Sequence, residues 1–164
     1  MIAHGQSITA KNVISLNCVV DMEMINEAFK DFIDNVIEAG YTPVGNVFFA
    51  NGGELMQTEA IPMQLFVSVK EDHHGGLTEE FNYRTYFQVR RMLQTRVKGM
   101  SQLDFARGME ALGEAVMKLD GEYPNTPTFF VFTEFEGEIY TDIGVGLQFE
   151  KRIREEFLDG KSWS

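Results

Sequence analysis

The 164-residue sequence predicts an α+β fold built from two β-α-β-β repeats. Three observations carry this. The stretches "AIPMQLFVSVKED" (60–72) and "EIYTDIGVGLQFE" (138–150) say nearly the same thing, each setting one polar residue, Gln64 or Asp142, in a row of strand-forming apolar ones. Apolar residues at helical spacing occur twice, over 25–37 and 105–119. Each helical stretch follows one strand-like segment and precedes two more.

Residues 11–20, rich in Val and Ile, read as the first strand. Asp21 stands where a helix N-cap belongs. Ile25, Ala28, Phe29, Phe32, Ile33, Val36 and Ile37 then form one apolar stripe, opposite Glu27, Lys30, Asp31 and Asp34. Gly40 is the stop signal. "TPVGNVFFA" (42–50) is a strand, "NGGE" a turn, and "IPMQLFVSV" (61–69) the partner strand. "EDHHGGLTEEFN" (71–82) is polar, carries a Gly pair, and links the halves. His73 and His74 are adjacent, so on a strand they point to opposite faces, and no metal site is expected from them.

In the second half, Tyr83, Thr85, Phe87, Val89, Leu93, Thr95 and Val97 fall on one parity. Arg84, Tyr86, Gln88, Arg90, Gln94, Arg96 and Lys98 fall on the other. This is a long strand with one packed and one solvated face, and Arg91 marks a bulge or kink in it. Ser101 with Asp104 resembles a capping box. Phe105, Met109, Leu112, Val116 and Leu119 stripe the helix that follows, and "DGEYPNTP" ends it. "TFFVFTEF", the turn "EGE" and "IYTDIGVGLQF" form a hairpin. Equivalent signals in the halves, such as Gly40 and Gly121, lie about 80 residues apart. The chain is read as one domain, 1–164, with repeats at about 8–72 and 81–150. Residues 151–164 form a C-terminal tail with room for a short helix.

A hydrophobic content of 44% predicts a packed interior. The net charge of -11 argues against nucleic acid, whose phosphates need a basic surface, and favours a neutral or cationic ligand or a basic protein. The single cysteine, Cys18, lies in an apolar run and reads as a small buried hydrophobe. The N-terminus has no signal-peptide pattern, and no apolar run approaches the roughly 20 residues of a membrane span. A cytoplasmic protein with no membrane contact is expected. There is no complete catalytic motif, and no cofactor is called for.

Two β-α-β-β units with these strand signatures resemble the gyrase-inhibitor-like effector-binding domains, found also as the ligand-sensing part of multidrug-responsive transcription regulators. The resemblance covers about residues 8–150. It rests on element order, on "MQLFVSV" and "TDIGVGL" as the last strands of the repeats, and on "TPVGNVFFA" through Pro43 and Gly45. It implies an eight-stranded, strongly curved antiparallel sheet with two long helices on one face. The concave side would be a cleft between the repeats, lined by aromatics and an acidic residue, that takes apolar and often cationic molecules. Gln64 and Asp142 stand at the acidic position, while Ser68 and Gly146 stand where the family has proline. Gln64 is neutral and Asp142 is shorter than glutamate, so this chain departs from the pattern at both copies. It also looks like a stand-alone branch of Gram-positive bacterial proteins encoded beside secreted polymorphic toxins.

The resemblance makes Asp142, Gln64, Tyr140, Tyr86, Phe66 and Phe48 the candidate ligand-binding residues, with Phe132 a further lining residue. The expected function is non-enzymatic binding of a small apolar or cationic ligand. A protein-interaction role, as accessory or immunity partner of a toxin, is the alternative. Some members of the family are hydrolases that use a Glu with a Tyr. Asp142 with Tyr140, on one strand face, is the nearest counterpart here. The glutamate is absent, so no catalytic residue is assigned. The oligomeric state is left open.

Overall fold

Seven strands and two helices alternate along a computed structural model that describes residues 2–54, 57–72 and 75–150. The order is β1 (Ile2–Val20), α1 (Ile25–Glu38), β2 (Pro43–Asn51), β3 (Ile61–Val69), β4 (Phe81–Lys98), α2 (Gln102–Met117), β5 (Glu122–Pro124), β6 (Thr128–Phe135) and β7 (Glu138–Phe149). The His73–His74 pair and the tail 151–164 lie outside the described residues.

Local chemistry explains most boundaries. Ser101 and Asp104 form both halves of the capping box that starts α2. Gly40 and Gly121 follow the helices with φ of 96° and 77°, the left-handed backbone that glycine adopts without a Cβ penalty. Glu136 and Gly137 both have positive φ, so β6 and β7 join through a two-residue turn of the mirror-image type that matches strand twist. Asp21 differs from expectation. A 3-10 turn, Met22–Met24, precedes α1, whose N-cap is Met24. The Asp21 carboxylate instead accepts the Ala60 N–H at 2.8 Å, tying the β2–β3 connection to the end of β1.

All neighbours pair antiparallel in the order β4-β1-β3-β2-β6-β7, and β4 also pairs with β7, so the curved sheet closes into a six-stranded ring. β5 pairs only with the last residues of β7. The two halves share one register. Gln64 of β3 lies opposite Asn17 of β1 and Ala50 of β2. Asp142 of β7 lies opposite Arg96 of β4 and Val131 of β6. Phe49 and Phe130 pair across β2 and β6, their rings stacked at 4.6 Å, at the local twofold that relates the halves.

Both helices cover the same outer face. Ile25, Phe32 and Val36 of α1, with Phe105, Met109 and Leu112 of α2, pack on Phe49, Leu65, Val67, Phe130, Ile143 and Val145 of the sheet. Gly108 lets α2 come close, since a Cβ there would meet Ile143 Cδ1 at 2.3 Å. The alternate strand residues form a second cluster with no helix in it: Ile8, Ala10, Val13, Phe48, Ala50, Phe66, Met92 and Phe129, joined by Phe87, Val89 and Val131. This cluster fills the inside of the ring.

The long strands β1 and β4 correct the reading of one packed and one wet face. Phe87 and Val89 point into the ring, whereas Leu93 and Val97, of the same parity, face the helices. Arg91, with φ 55°, switches the faces between them, and Asn12, with φ 52°, does so in β1. As a result Gln94 and Arg96, expected in solvent, turn toward a recess at the ring interior.

Candidate functional site

The interior of the ring is where the two halves meet, and phenylalanines plug it. Phe48 and Phe66 stack at 4.5 Å with 9° between their planes. Phe87 lies 4.9 Å from Phe66, and Phe129 closes the group at 6.1–6.5 Å from the other three. Phe48 and Phe66 are no more than 1% exposed. Burying each ring contributes about 1.5–3 kcal/mol, so the plug is strongly held.

A recess opens on either side of the plug. The first, about 430 Å³, is mostly apolar, with Cys18, Val19, Ala50, Pro62 and Met63 in its wall and the Gln64 and Asn17 side chains as its polar groups. Gln64 Nε2 donates to Ser15 Oγ at 3.3 Å, which orients the carboxamide. Burial pushes the Cys18 thiol above its ordinary pKa by disfavouring the thiolate. The second recess, about 270 Å³, is polar: Gln6, Ser7, Thr9, Gln94, Arg96, Thr133 and Asp142 surround it, with Phe48 behind.

Asp142 does not stand free in that second recess. Arg96 donates to it twice, Nε to Oδ1 at 2.7 Å and Nη2 to Oδ2 at 3.0 Å. The fork geometry matches a carboxylate face to face. Hydrogen bonding to Asp142, and then its charge, raise the Arg96 pKa further above its already high value. The Tyr140 ring lies under the same guanidinium, 5.6 Å from its carbon. An external cation therefore finds the carboxylate already matched. Asp142 and Tyr140 thus both engage the same guanidinium.

The sequence-predicted residues thus divide. Gln64 and Asp142 face the same interior side, at equivalent places in the two halves, in different recesses. Phe48 and Phe66 are plug rather than lining, although Phe48 backs the second recess. Tyr140 belongs to the Arg96–Asp142 group. Tyr86 is 50% exposed, on the outer side of β4 opposite Lys11 and away from both recesses, because Phe87 takes the inward position beside it. Phe132 packs on the helix face against Phe29 and Phe105. Among the described residues, no group of three or more His, Cys, Asp or Glu side chains could hold a metal ion, and no helix is long and apolar enough to cross a membrane.

Residues 9–147 match the family described as "Domain of unknown function (DUF5085)". The chain belongs to the DUF5085 family. No curated protein matches it in sequence. The fold of this DUF5085 chain is similar to that of EcmrR in its complex with DNA, with a TM-score of 0.73 at 13% identity over 92% of the chain. The chain spans 58% of the length of that EcmrR chain. The crystal structure of the EcmrR C-terminal domain is similar over 92% of this chain and 98% of its own, with a TM-score of 0.69 and 13% identity. An uncharacterized conserved protein from Listeria innocua matches at a TM-score of 0.52 and 9% identity, over 88% of this chain and 92% of its own. Identities this low speak for the shared fold alone.

In the DUF5085 chain, the residues that sequence reasoning missed are Arg96, Asn17, Phe87 and Phe129. The first two emerge only from strand pairing. Gln64 and Asp142 lie 78 residues apart but Asn17 and Arg96 lie 79 apart, so ungapped alignment of the halves sets Asn17 against Thr95, whereas the register places Asn17 and Arg96 directly across from Gln64 and Asp142. The face switch at Arg91 adds to this, because simple alternation through that residue sends Arg96 outward.

Proposed function

We propose that this chain is a non-enzymatic, cytoplasmic binding domain for a small, uncharged and largely apolar molecule, held in the recess beside Gln64. The carrying observation is the recess itself: about 430 Å³, apolar walls, and a carboxamide at its edge that can both donate and accept. Its partner recess is polar and its carboxylate is already bonded, which speaks against the cationic ligand the sequence suggested. Thermal unfolding against neutral apolar compounds and lipophilic cations of matched size tests this, with Gln64→Leu alongside. Neutral compounds are expected to raise Tm in the wild type, less in Gln64→Leu, and to slow alkylation of Cys18 in the recess wall. A cation that stabilises more than its neutral counterpart, or the absence of any stabilising compound, would overturn the reading.

A second reading, docking of a basic protein partner, is favoured by the β6–β7 hairpin tip. There Phe135 and Ile139 are 62% and 42% exposed among Glu134, Glu136 and Glu138. Phe135 pairs with Glu138 and Ile139 with Glu134, so the two apolar side chains lie on opposite faces of the tip, each beside a carboxylate, and suit a basic partner that clasps the hairpin from both sides. Loss of a co-purifying basic protein in Phe135→Ser/Ile139→Ser, with Tm unchanged, would support it.

A further inference from the structure

Arg96 and Asp142 are unequal partners. The Asp142 side chain is 11% exposed, whereas the Arg96 side chain is 55% exposed. The carboxylate is thus built into the ring wall, and its counter-ion reaches it from the solvent side. A carboxylate this deep is costly to leave unmatched, so the site favours a cation. Tyr140 offers its ring face to that cation. Gln6, Ser7, Thr9, Gln94 and Thr133 supply further hydrogen-bonding groups around the same space. The carboxylate and the ring belong to β7, and the guanidinium comes from β4.

The equivalent place in the other half is a control supplied by the fold. Asn17 faces Gln64 there, both neutral, and the neighbouring recess is larger and apolar. The same strand geometry therefore holds an open recess when the pair is uncharged, and a polar one with its own cation when the pair is charged.

We infer that Arg96 is a tethered occupant of a guanidinium site formed by Asp142 and Tyr140, and that it determines specificity by closing this half of the ring to external cations. Removing the Arg96 side chain leaves a space shaped for an alkylguanidinium: a carboxylate for the fork, a ring face beside it, and amide and hydroxyl groups around. This inference is independent of what binds beside Gln64.

The test is chemical rescue. Arg96→Ala is compared with wild type and with Arg96→Ala/Asp142→Asn, each titrated with methylguanidinium chloride against tetramethylammonium chloride at equal ionic strength. Methylguanidinium is expected to raise the Tm of Arg96→Ala saturably, by roughly 3–6 °C at tenfold excess over Kd, with no such rise in the wild type or the double variant. Tetramethylammonium, which cannot donate hydrogen bonds, should give a smaller shift. Where Arg96→Ala refolds poorly, its refolding yield with and without methylguanidinium reads the same effect. No response of Arg96→Ala by either measure, an equal response in the double variant, or an equal response in the wild type would overturn the proposal. The pair would then be an ordinary cross-strand ion pair.

Discussion

Asn12 and Arg91 occupy equivalent positions in β1 and β4, and each holds left-handed backbone, with φ of 52° and 55°. Each switches which face of its strand points into the ring. The left-handed region costs a non-glycine residue about 1–2 kcal/mol, least for Asn. A β-branched side chain there is worse still. Asn12→Val and Arg91→Val are each expected to lower the urea midpoint, because the β-branched side chain adds to the strain the native residue already carries, while Asn12→Gly stays close to wild type. Arg91→Gly should lose ground for a different reason, because it removes the Glu122 ion pair at 2.7 Å and the contact over Phe149.

The plug separates the two recesses, so Phe66→Ala should join them. Truncating a buried phenylalanine costs about 3–5 kcal/mol through lost transfer energy and the cavity left behind. Phe66 is 1% exposed and stacked on Phe48, which places it at the upper end. The expected outcome is a large drop in stability together with saturable uptake of a small apolar probe such as benzene, measured by calorimetry. A stable variant that takes up nothing would mean that Phe87 and Phe129 collapse into the space.

Ser68 stands one pleat along from Phe66 and is 7% exposed, and its hydroxyl has no hydrogen-bond partner among the described residues. An unsatisfied buried hydroxyl costs about 1–3 kcal/mol. Ser68→Ala is therefore expected to leave stability unchanged or raise it by about 1 kcal/mol, read from the urea midpoint. A clear loss would indicate a buried water bonded to Oγ.

Two carboxylates make stability fall in acid. Hydrogen bonds from Ser101 hold Asp104 below its ordinary pKa, and the Thr42 N–H does the same for Glu71. A folded pKa below the unfolded one adds stability that is fully present above the unfolded value, about 4, and is lost as pH falls through the folded value. Tm should therefore decline below about pH 4–5, and Asp104→Asn and Glu71→Gln should each flatten that decline. Both groups are exposed, so added salt should shrink the effect.

Local signals in the sequence were strong where each residue answers to its own neighbours. The Ser101–Asp104 cap, the Gly40 stop, the β6–β7 turn and both helical stripes all depend on backbone conformation or on contacts within a few residues. Residues 2–10 carry no such signal, for the opposite reason. "IAHGQSITA" lacks a strand pattern of its own and is held as strand by its pairing with β4. The three-residue β5 is likewise a strand only because the end of β7 lies beside it.

By itself, the sequence determined two β-α-β-β halves and the equivalence of Gln64 with Asp142, because periodicity and repetition are properties of the chain. The tertiary structure alone decided what surrounds those two residues. Ring closure through β4 and β7 brought Arg96 to Asp142 across 46 positions of sequence. Face switching at Asn12 and Arg91 turned Phe87 inward and Tyr86 outward. A carboxylate in a strand is open to a ligand or already matched according to which residue of a distant strand pairs with it, and strand register is set by the closure of the whole sheet.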